Sequence, residues 1–447
     1  MKKRIGLVSL GCPKNLVDSE IMLGALKDKG YEIVSDEKQA DIIIVNTCGF
    51  IESAKQESID TILEMAALKG HTCELLIVTG CLAQRYKKTI LDEIPEVDAV
   101  AGTGNYREIA SVIRKAYEGS RPLLCGEPDG AAYSEEGERI LSTTGGYAYL
   151  KIAEGCDNCC TYCVIPSLRG RFRSRRMEEI LKEAADLAAS GVRELILIAQ
   201  DTTRYGEDIY GKRQLAELLR KLSGIGGIEW IRLLYCYPEE IDDELISEIS
   251  NNDKICKYID IPLQHASDTI LKKMGRRGGC GDIARLIEKL RSRIPDVILR
   301  TTFIVGFPGE TEEDYAILYE FIKKYRFDRL GIFMYSKEDD TPAAGMRRQI
   351  PAKIKKMRYS ELMKLQEGIS AGLNKDRLGK IYKVLVEGVA EDGIFYYGRS
   401  YAEAPDIDGL IYFASSRPLE TGRFVNVEIL NCEQYDLTGE VKNESAK

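Results

Sequence analysis

Three cysteines in one short stretch constrain this chain more than any other feature: Cys156, Cys160 and Cys163 in EGCDNCCTYCVIPSLRGRFRSRR, Glu154–Arg176. Thiolates so close in sequence must fold around a common centre, and soft sulfur donors suit an iron-based one. Three ligands leave one iron of an iron–sulfur cube open to a substrate or cofactor. Cys159 also permits a C-x2-C-x3-C reading, but with C-x3-C-x2-C the aromatic Tyr162 directly precedes the last ligand, and that reading is preferred. Structural zinc is the bland alternative. It wants a fourth protein ligand, and no histidine or paired cysteine lies nearby.

Upstream, apolar runs alternate with helical patterns. Arg4–Leu10, Asp41–Asn46 and Glu74–Thr79 read as strands, Val97–Ala101 as a fourth, with helices over Leu16–Lys29 and from about Ser53. Continuous apolar strands separated by helices imply a parallel sheet. Three of the strands end in a cysteine: Cys12, Cys48 and Cys81. Loops at the carboxyl ends of parallel strands share one rim, where open α/β sheets bind ligands. The three cysteines are therefore expected to converge as a second cluster site rather than to be ordinary buried thiols. Cys73 and Cys125 lack this placement and read as structural. No G-x-G-x-x-G follows the first strand, so a dinucleotide site is not indicated.

The expected organisation is an α/β domain over 1–120, a linker over 121–141, a catalytic core over 142–374 and a small antiparallel β-barrel over 375–441. The core shows about six β/α units after Tyr147, short of the eight of a closed barrel, which implies an open (β/α)6 partial barrel. Its strand ends carry Gln200, Gln264, His265 and Gly306, and glycines at 306 and 309 would let backbone approach a ligand. No catalytic acid or base is assigned, His265 included. The run Arg169, Arg171, Arg173, Arg175, Arg176 reads first as a solvated loop and helix start. Charge compensation beside anionic thiolates, or RNA phosphate binding, is the functional alternative. Pro351 to about Leu373 reads as a linking amphipathic helix.

The chain's formal charge of -8 argues against a general polyanion binder. No run reaches membrane-spanning length, no secretory signal is evident, and 13 cysteines read as metal or redox ligands; the expected compartment is the cytoplasm. Residues 376–447 carry 13 Asp/Glu against 8 Lys/Arg. An RNA-binding barrel should be basic, so this one is expected to steer a basic protein, with Asp406 and Asp408 on the steering surface.

At Cys156, Cys160, Tyr162 and Cys163 the chain resembles the radical S-adenosylmethionine (SAM) enzymes, whose signature is C-x3-C-x-aromatic-C. SLGCPKNLVDSE (Ser9–Glu20), VNTCGFI (Val45–Ile51) and TGCLAQR (Thr79–Arg85) resemble the amino-terminal domain of the methylthiotransferases, and the last segment is similar to the TRAM domain. CPKNLVDSE, QDTTRYG (Gln200–Gly206), SLRGRFRSR and GRSYAEAPDIDG (Gly398–Gly409) are similar to the branch acting on an aspartate of small-subunit ribosomal protein twelve.

The resemblance implies two 4Fe–4S clusters. One is held by Cys156, Cys160 and Cys163 with SAM on its open iron, the other by Cys12, Cys48 and Cys81. It places Tyr162, Gln200, Gln264 and Gly306 near SAM. It implies radical removal of hydrogen from the aspartate β-carbon, followed by sulfur insertion and methyl transfer. The implied partners are the ribosomal protein, free or in the small subunit, and an external electron donor, with direct RNA binding left open. The alternatives are a tRNA adenosine methylthiotransferase, a cobalamin-dependent radical SAM methylase and a non-enzymatic iron–sulfur carrier. The methylase's D-x-H-x-x-G is absent, and a carrier would not need the catalytic core.

Overall fold

The computed structural model describes residues 2–128, 139–143 and 145–442, which form two compact units. The first comprises Met1–Ser142, Lys151–Glu179 and Ser336–Ala344; the second comprises Thr143–Leu150, Ile180–Tyr335 and Gly345–Lys447.

The first unit is built on a parallel sheet of β1 (Arg4–Ser9), β2 (Glu32–Ile33), β3 (Ile42–Thr47), β4 (Leu75–Gly80), β5 (Ala99–Ala101) and β6 (Leu123–Leu124), in the order β2-β1-β3-β4-β5-β6. Every residue of β3 and β4 is buried, as expected of β-branched runs covered on both faces. Each isoleucine or valine so buried contributes about 1.5–3 kcal/mol. Helices α1 (Pro13–Asp28), α2 (Glu52–Ala66) and α3 (Cys81–Tyr86) follow β1, β3 and β4.

The fourth strand starts two residues later than expected, because Val97 N–H closes a turn on Ile94 C=O at 3.1 Å. The segment expected as a linker begins with a sixth strand: Leu123 and Leu124 pair with Val100 and Ala101. Residues 129–138 of that segment lie outside the described residues. Cys73 is buried and its thiol donates to Leu75 C=O at 3.2 Å, while Cys125 packs against the core beside Ala83 C=O.

The chain next forms β7 (Tyr147–Lys151) of the second unit's sheet, then an antiparallel pair in the first unit, β8 (Ala153–Glu154) with β9 (Arg173–Ser174). The second sheet continues with β10 (Glu194–Ile198), β11 (Trp230–Leu233), β12 (Ile255–Gln264), β13 (Ile298–Val305) and β14 (Arg329–Met334), in the order β14-β13-β12-β11-β10-β7. Neighbours from β10 to β14 run parallel and the sheet stays open at six strands, the expected partial barrel. A connecting segment separates β11 from the helix that follows it. Pro238 starts a short 3-10 turn, and Asp242 caps the helix proper, Asp243–Asn251, by accepting from Leu245 N–H at 2.9 Å.

The carboxyl-terminal segment forms a closed barrel of β15 (Ile381–Val389), β16 (Tyr396–Arg399), β17 (Ile411–Ala414), β18 (Phe424–Cys432) and β19 (Leu437–Val441) around Val384, Val386, Ile411, Phe413, Val427, Ile429 and Leu437. Four pairs are antiparallel and one, β17 with β19, is parallel. An odd number of strands cannot close on itself with every neighbour antiparallel, so one parallel pair is unavoidable.

GRSYAEAPDIDG fastens this barrel to the amino-terminal side of the second sheet. Arg399 bonds Glu194, the first residue of β10, at 2.7 Å, and Arg232 of β11 bonds the same carboxylate at 2.7 Å. All three side chains are fully buried. Glu403 pairs with Arg377 and with Arg329, the first residue of β14, the latter at 2.8 Å. Burial alone would raise the Glu403 carboxyl, but Arg377 and Arg329 outweigh it and hold it at about 2.

The expectation for Asp408 is overturned. Its side chain is 2% exposed and accepts from Tyr258 hydroxyl at 2.6 Å and Ala404 N–H at 2.9 Å. Asp408 is an anchor, and the Asp406/Asp408 pair is not a free steering surface. Asp406 remains exposed.

Candidate cluster sites

The cysteines at the ends of β1, β3 and β4 converge. A Cβ added to Gly11 would lie 2.8 Å from Cys48 Cβ, and one added to Gly49 would lie 2.9 Å from Leu82 Cα, so glycines beside Cys12 and Cys48 let the three strand ends touch. Asn15, 1% exposed on α1, locks the arrangement: its amide donates to Leu10 C=O at 2.9 Å and Thr47 C=O at 3.0 Å. Its Oδ1 lies 3.8 Å from Cys81 Sγ. The cysteines feel one another electrostatically. Burial, with Cys81 and Cys12 contributing, pushes the Cys48 thiol up to about 12; burial likewise raises Cys81, with Cys12 adding to it.

The second set lies in the loop closed by β8 and β9. Gly155 has φ +79°, and a Cβ there would meet Arg171 O at 2.0 Å, so entry and exit strands are pinched at a point only glycine fits. Cys156 N–H donates to Gly170 C=O at 3.0 Å and Phe172 N–H to Asp157 Oδ1 at 3.1 Å. Cys163 N–H turns back onto Cys160 C=O at 3.1 Å, and Ala343 N–H pins Thr161 C=O at 2.9 Å. Asn158 N–H points to Cys156 Sγ and Ile165 N–H to Cys163 Sγ, each at 3.4 Å. Burial pushes the Cys163 thiol up to about 12, with Cys160 and Cys156 contributing. Cys156 and Cys160 are buried, Tyr162 is half-buried, and Cys159 is exposed with its thiol at Asp157 C=O.

The two sets share a wall within the first unit. Cys81 packs on Val164 and Leu168, and Thr103 hydroxyl donates to Leu168 C=O at 2.6 Å. Beside them lies a buried ionic group that sequence reasoning missed. Lys151 pairs with Asp18 at 2.5 Å and Glu154 at 3.0 Å; Arg169 pairs with Glu154 at 2.9 Å and Asp18 at 3.0 Å and also bonds Asn15 Oδ1. The signal was present in α1, where Asn15, Asp18, Ser19 and Glu20 are polar residues on a helix that is buried.

The expectation of a solvated arginine run fails for two of its members. Arg169 is 2% exposed and Arg175 is 1% exposed, the latter donating to Lys151 C=O at 2.8 Å. Arg171 and Arg176 are exposed.

In the second unit, Gln264 ends β12 with φ +73°, Gln200 follows β10 and Gly306 follows β13, all on the carboxyl rim of the sheet. At Gly306 the close approach comes from the chain itself: a Cβ there would meet Lys355 Cγ at 2.3 Å, and Glu310 accepts from Gly306 N–H at 2.7 Å and Phe307 N–H at 3.1 Å. Arg358 holds Glu310 at 2.6 Å. His265 is fully buried; its Nδ1 accepts from Ser267 N–H at 2.9 Å, and its Nε2 lies 3.7 Å from Glu310.

Three known families match parts of the chain. Residues 4–102 match Uncharacterized protein family UPF0004, residues 150–322 the Radical SAM superfamily and residues 378–441 the TRAM domain. The chain is 60% identical to ribosomal protein uS12 methylthiotransferase RimO of Acetivibrio thermocellus, over 100% of both chains. It is 56% identical to the protein of that name from Clostridium botulinum, again over 100% of both. Among solved structures it is similar to the radical S-adenosylmethionine methyltransferase TsrM of Kitasatospora setae, with TM-score 0.57 and 16% identity over 77% of each chain, a likeness of fold alone. With identity of this extent along its whole length, the chain belongs to the RimO methylthiotransferase family.

Proposed function

We propose that this chain is a radical SAM methylthiotransferase that adds a methylthio group to the β-carbon of an aspartate in ribosomal protein uS12, the protein for which its relatives are named. The observation that carries the reading is the pairing of two cysteine sets in one unit, one on three strand ends and one in a pinched loop.

The donor sets fit iron–sulfur cubes. All six thiols are free of disulfides; Cys81, Cys156 and Cys160 are buried, and Cys12, Cys48 and Cys163 are partly buried. Among the described residues no three His, Cys, Asp or Glu side chains converge closely enough for one ion. In a cube each thiolate binds a different iron, so three ligands ring a volume instead of meeting at a point and leave the fourth iron open. Cys156, Cys160 and Cys163 would hold the cluster that binds SAM, and Cys12, Cys48 and Cys81 the second. When bound, these groups supply the electron, the radical chemistry, the sulfur and the methyl group.

The chain's own residues bind, orient and exclude water. Asn158 and Ile165 N–H groups favour the thiolate form of Cys156 and Cys163. Val164, Leu168 and Cys81 keep the wall between the two sets dry. Gln200 and Gln264 contribute to SAM binding from the rim. No side chain serves as a general base, since the hydrogen on an unactivated β-carbon is not acidic enough for polar removal at neutral pH. The acidic barrel favours a basic protein substrate over tRNA. An external reductant would recharge the SAM-binding cluster with the electron it passes on, and the cytoplasm is the expected compartment; no described helix is long and apolar enough to cross a membrane.

The test is iron content and SAM cleavage in two triple variants. Cys156/Cys160/Cys163→Ala should keep about half the iron and lose SAM cleavage, since coordination is thiolate-dependent. Cys12/Cys48/Cys81→Ala should also keep about half, cleave SAM and insert no sulfur. Full iron in either variant contradicts that cluster's assignment.

A further inference from the structure

Arg169 stands where neither cysteine set would be expected to find a partner. It ends the short helix Ile165–Arg169 of the loop that carries Cys156, Cys160 and Cys163, yet its guanidinium faces the other set. It shares Asn15 Oδ1 with Cys81 Sγ, and its charge reaches Cys81, Cys12 and Cys48. The helix that presents it packs on Cys81 through Leu168. Arg169 is 2% exposed, so water does not screen its charge. Glu154 holds the guanidinium's other nitrogen, Nη1, whereas Asp18 shares Nη2 with Asn15; both carboxylates are also paired with Lys151. The result is a buried ionic group in which Arg169 is the cation facing Cys12, Cys48 and Cys81, Asp18 also bears on Cys81, and Glu154 lies on the guanidinium's other nitrogen.

We propose that Arg169 is a positioning residue for the cluster held by Cys12, Cys48 and Cys81. In this role it raises that cluster's reduction potential by compensating its negative charge, so the seating of one cysteine loop sets the electronics of the other site. This inference rests on the two-cluster reading above. Cluster potential depends on net charge, hydrogen bonds to sulfur and solvent exposure, and Arg169 acts on the first and the last: it adds one positive charge and helps bury the site, while it meets Cys81 through the shared Asn15 Oδ1. Glu154 opposes it. A carboxylate on the far edge of the guanidinium partly cancels the field, so removing that carboxylate's charge must move the potential in the opposite direction from removing the arginine's. A purely structural role predicts no such sign reversal, because both changes would loosen the same ionic group.

The experiment uses full-length protein with Cys156, Cys160 and Cys163 replaced by Ala, so that one cluster remains. Iron and sulfide are measured first. One cube per chain upholds the two-cluster reading on which the proposal rests, whereas no cube overturns that reading separately from the role of Arg169. The midpoint potential is then followed by spectroscopic redox titration for this parent and for Arg169→Met, Arg169→Lys and Glu154→Gln in the same background. Arg169→Met should lower the potential enough to shift the oxidised-to-reduced ratio at the parent's midpoint by about tenfold, which is about 59 mV for one electron. Glu154→Gln should raise it, and Arg169→Lys should stay near the parent. If Arg169→Met does not load a cluster, Glu154→Gln against the parent still reads the sign. An unchanged or lowered potential in Glu154→Gln overturns the proposal, as does an unchanged potential in Arg169→Met.

Discussion

Replacing Glu403 by Gln tests how the barrel is fastened. The carboxylate is fully buried, bonds Ser400 N–H at 3.0 Å and Ser400 hydroxyl at 2.6 Å, and neutralises Arg377 and Arg329. It is held at about 2 against an ordinary 4.5. A shift of that size, at 1.36 kcal/mol per unit, makes the charged form more stable by roughly 3 kcal/mol. Gln keeps the shape but leaves two buried guanidinium groups undercompensated, and breaking a buried pair costs about 3–5 kcal/mol. The chain's one tryptophan, Trp230, packs on Phe424 of the barrel at 4.6 Å, so its fluorescence reports this junction directly.

Urea unfolding of the metal-free chain followed through Trp230 should show Glu403→Gln less stable than the parent by about 3 kcal/mol at pH 7. Because the folded value is depressed, this stability is present above about pH 4.5 and is lost as pH falls towards 2. Parent and variant should therefore converge at low pH. A difference below about 1 kcal/mol at pH 7, the scale of an exposed pair, or one that does not shrink with acid, would refute the reasoning.

Three further outcomes follow from the geometry. Gly155→Ala forces a side chain into Arg171 C=O at a left-handed φ; the variant should load about half the parent's iron and lose SAM cleavage, measured by iron assay and chromatography. Asp408→Asn weakens the Tyr258 bond and should cost about 1–3 kcal/mol in the same urea assay. Exposed Asp406→Asn should stay within about 0.5 kcal/mol of the parent.

Where a single periodicity decides, the chain's pattern was enough. The strand ends carrying Cys12, Cys48 and Cys81, the six core strands and the five barrel strands are all set by short apolar runs between glycines and polar turns. What was not legible depends on contacts across long sequence separations. Nothing local distinguishes Arg169 from its exposed neighbour Arg171; only the arrival of Asn15 and Asp18 from α1 makes one a buried counter-charge. Asp408 likewise reads as one more surface acid until Tyr258 and Ala404 enclose it. At Gly306 the sequence marks a close approach but not that Lys355 is among the groups that approach.

The most direct test of the account is the mass of ribosomal protein uS12, with bulk tRNA nucleosides measured alongside, from cells with and without the gene for this chain. The account predicts that one uS12 peptide, localised by fragmentation to an aspartate, gains the mass of one sulfur plus one CH2 only when the gene is present, with tRNA adenosine methylthiolation unchanged. Unmodified uS12 in both strains, with loss of a methylthio group from tRNA in the deletion, would contradict it.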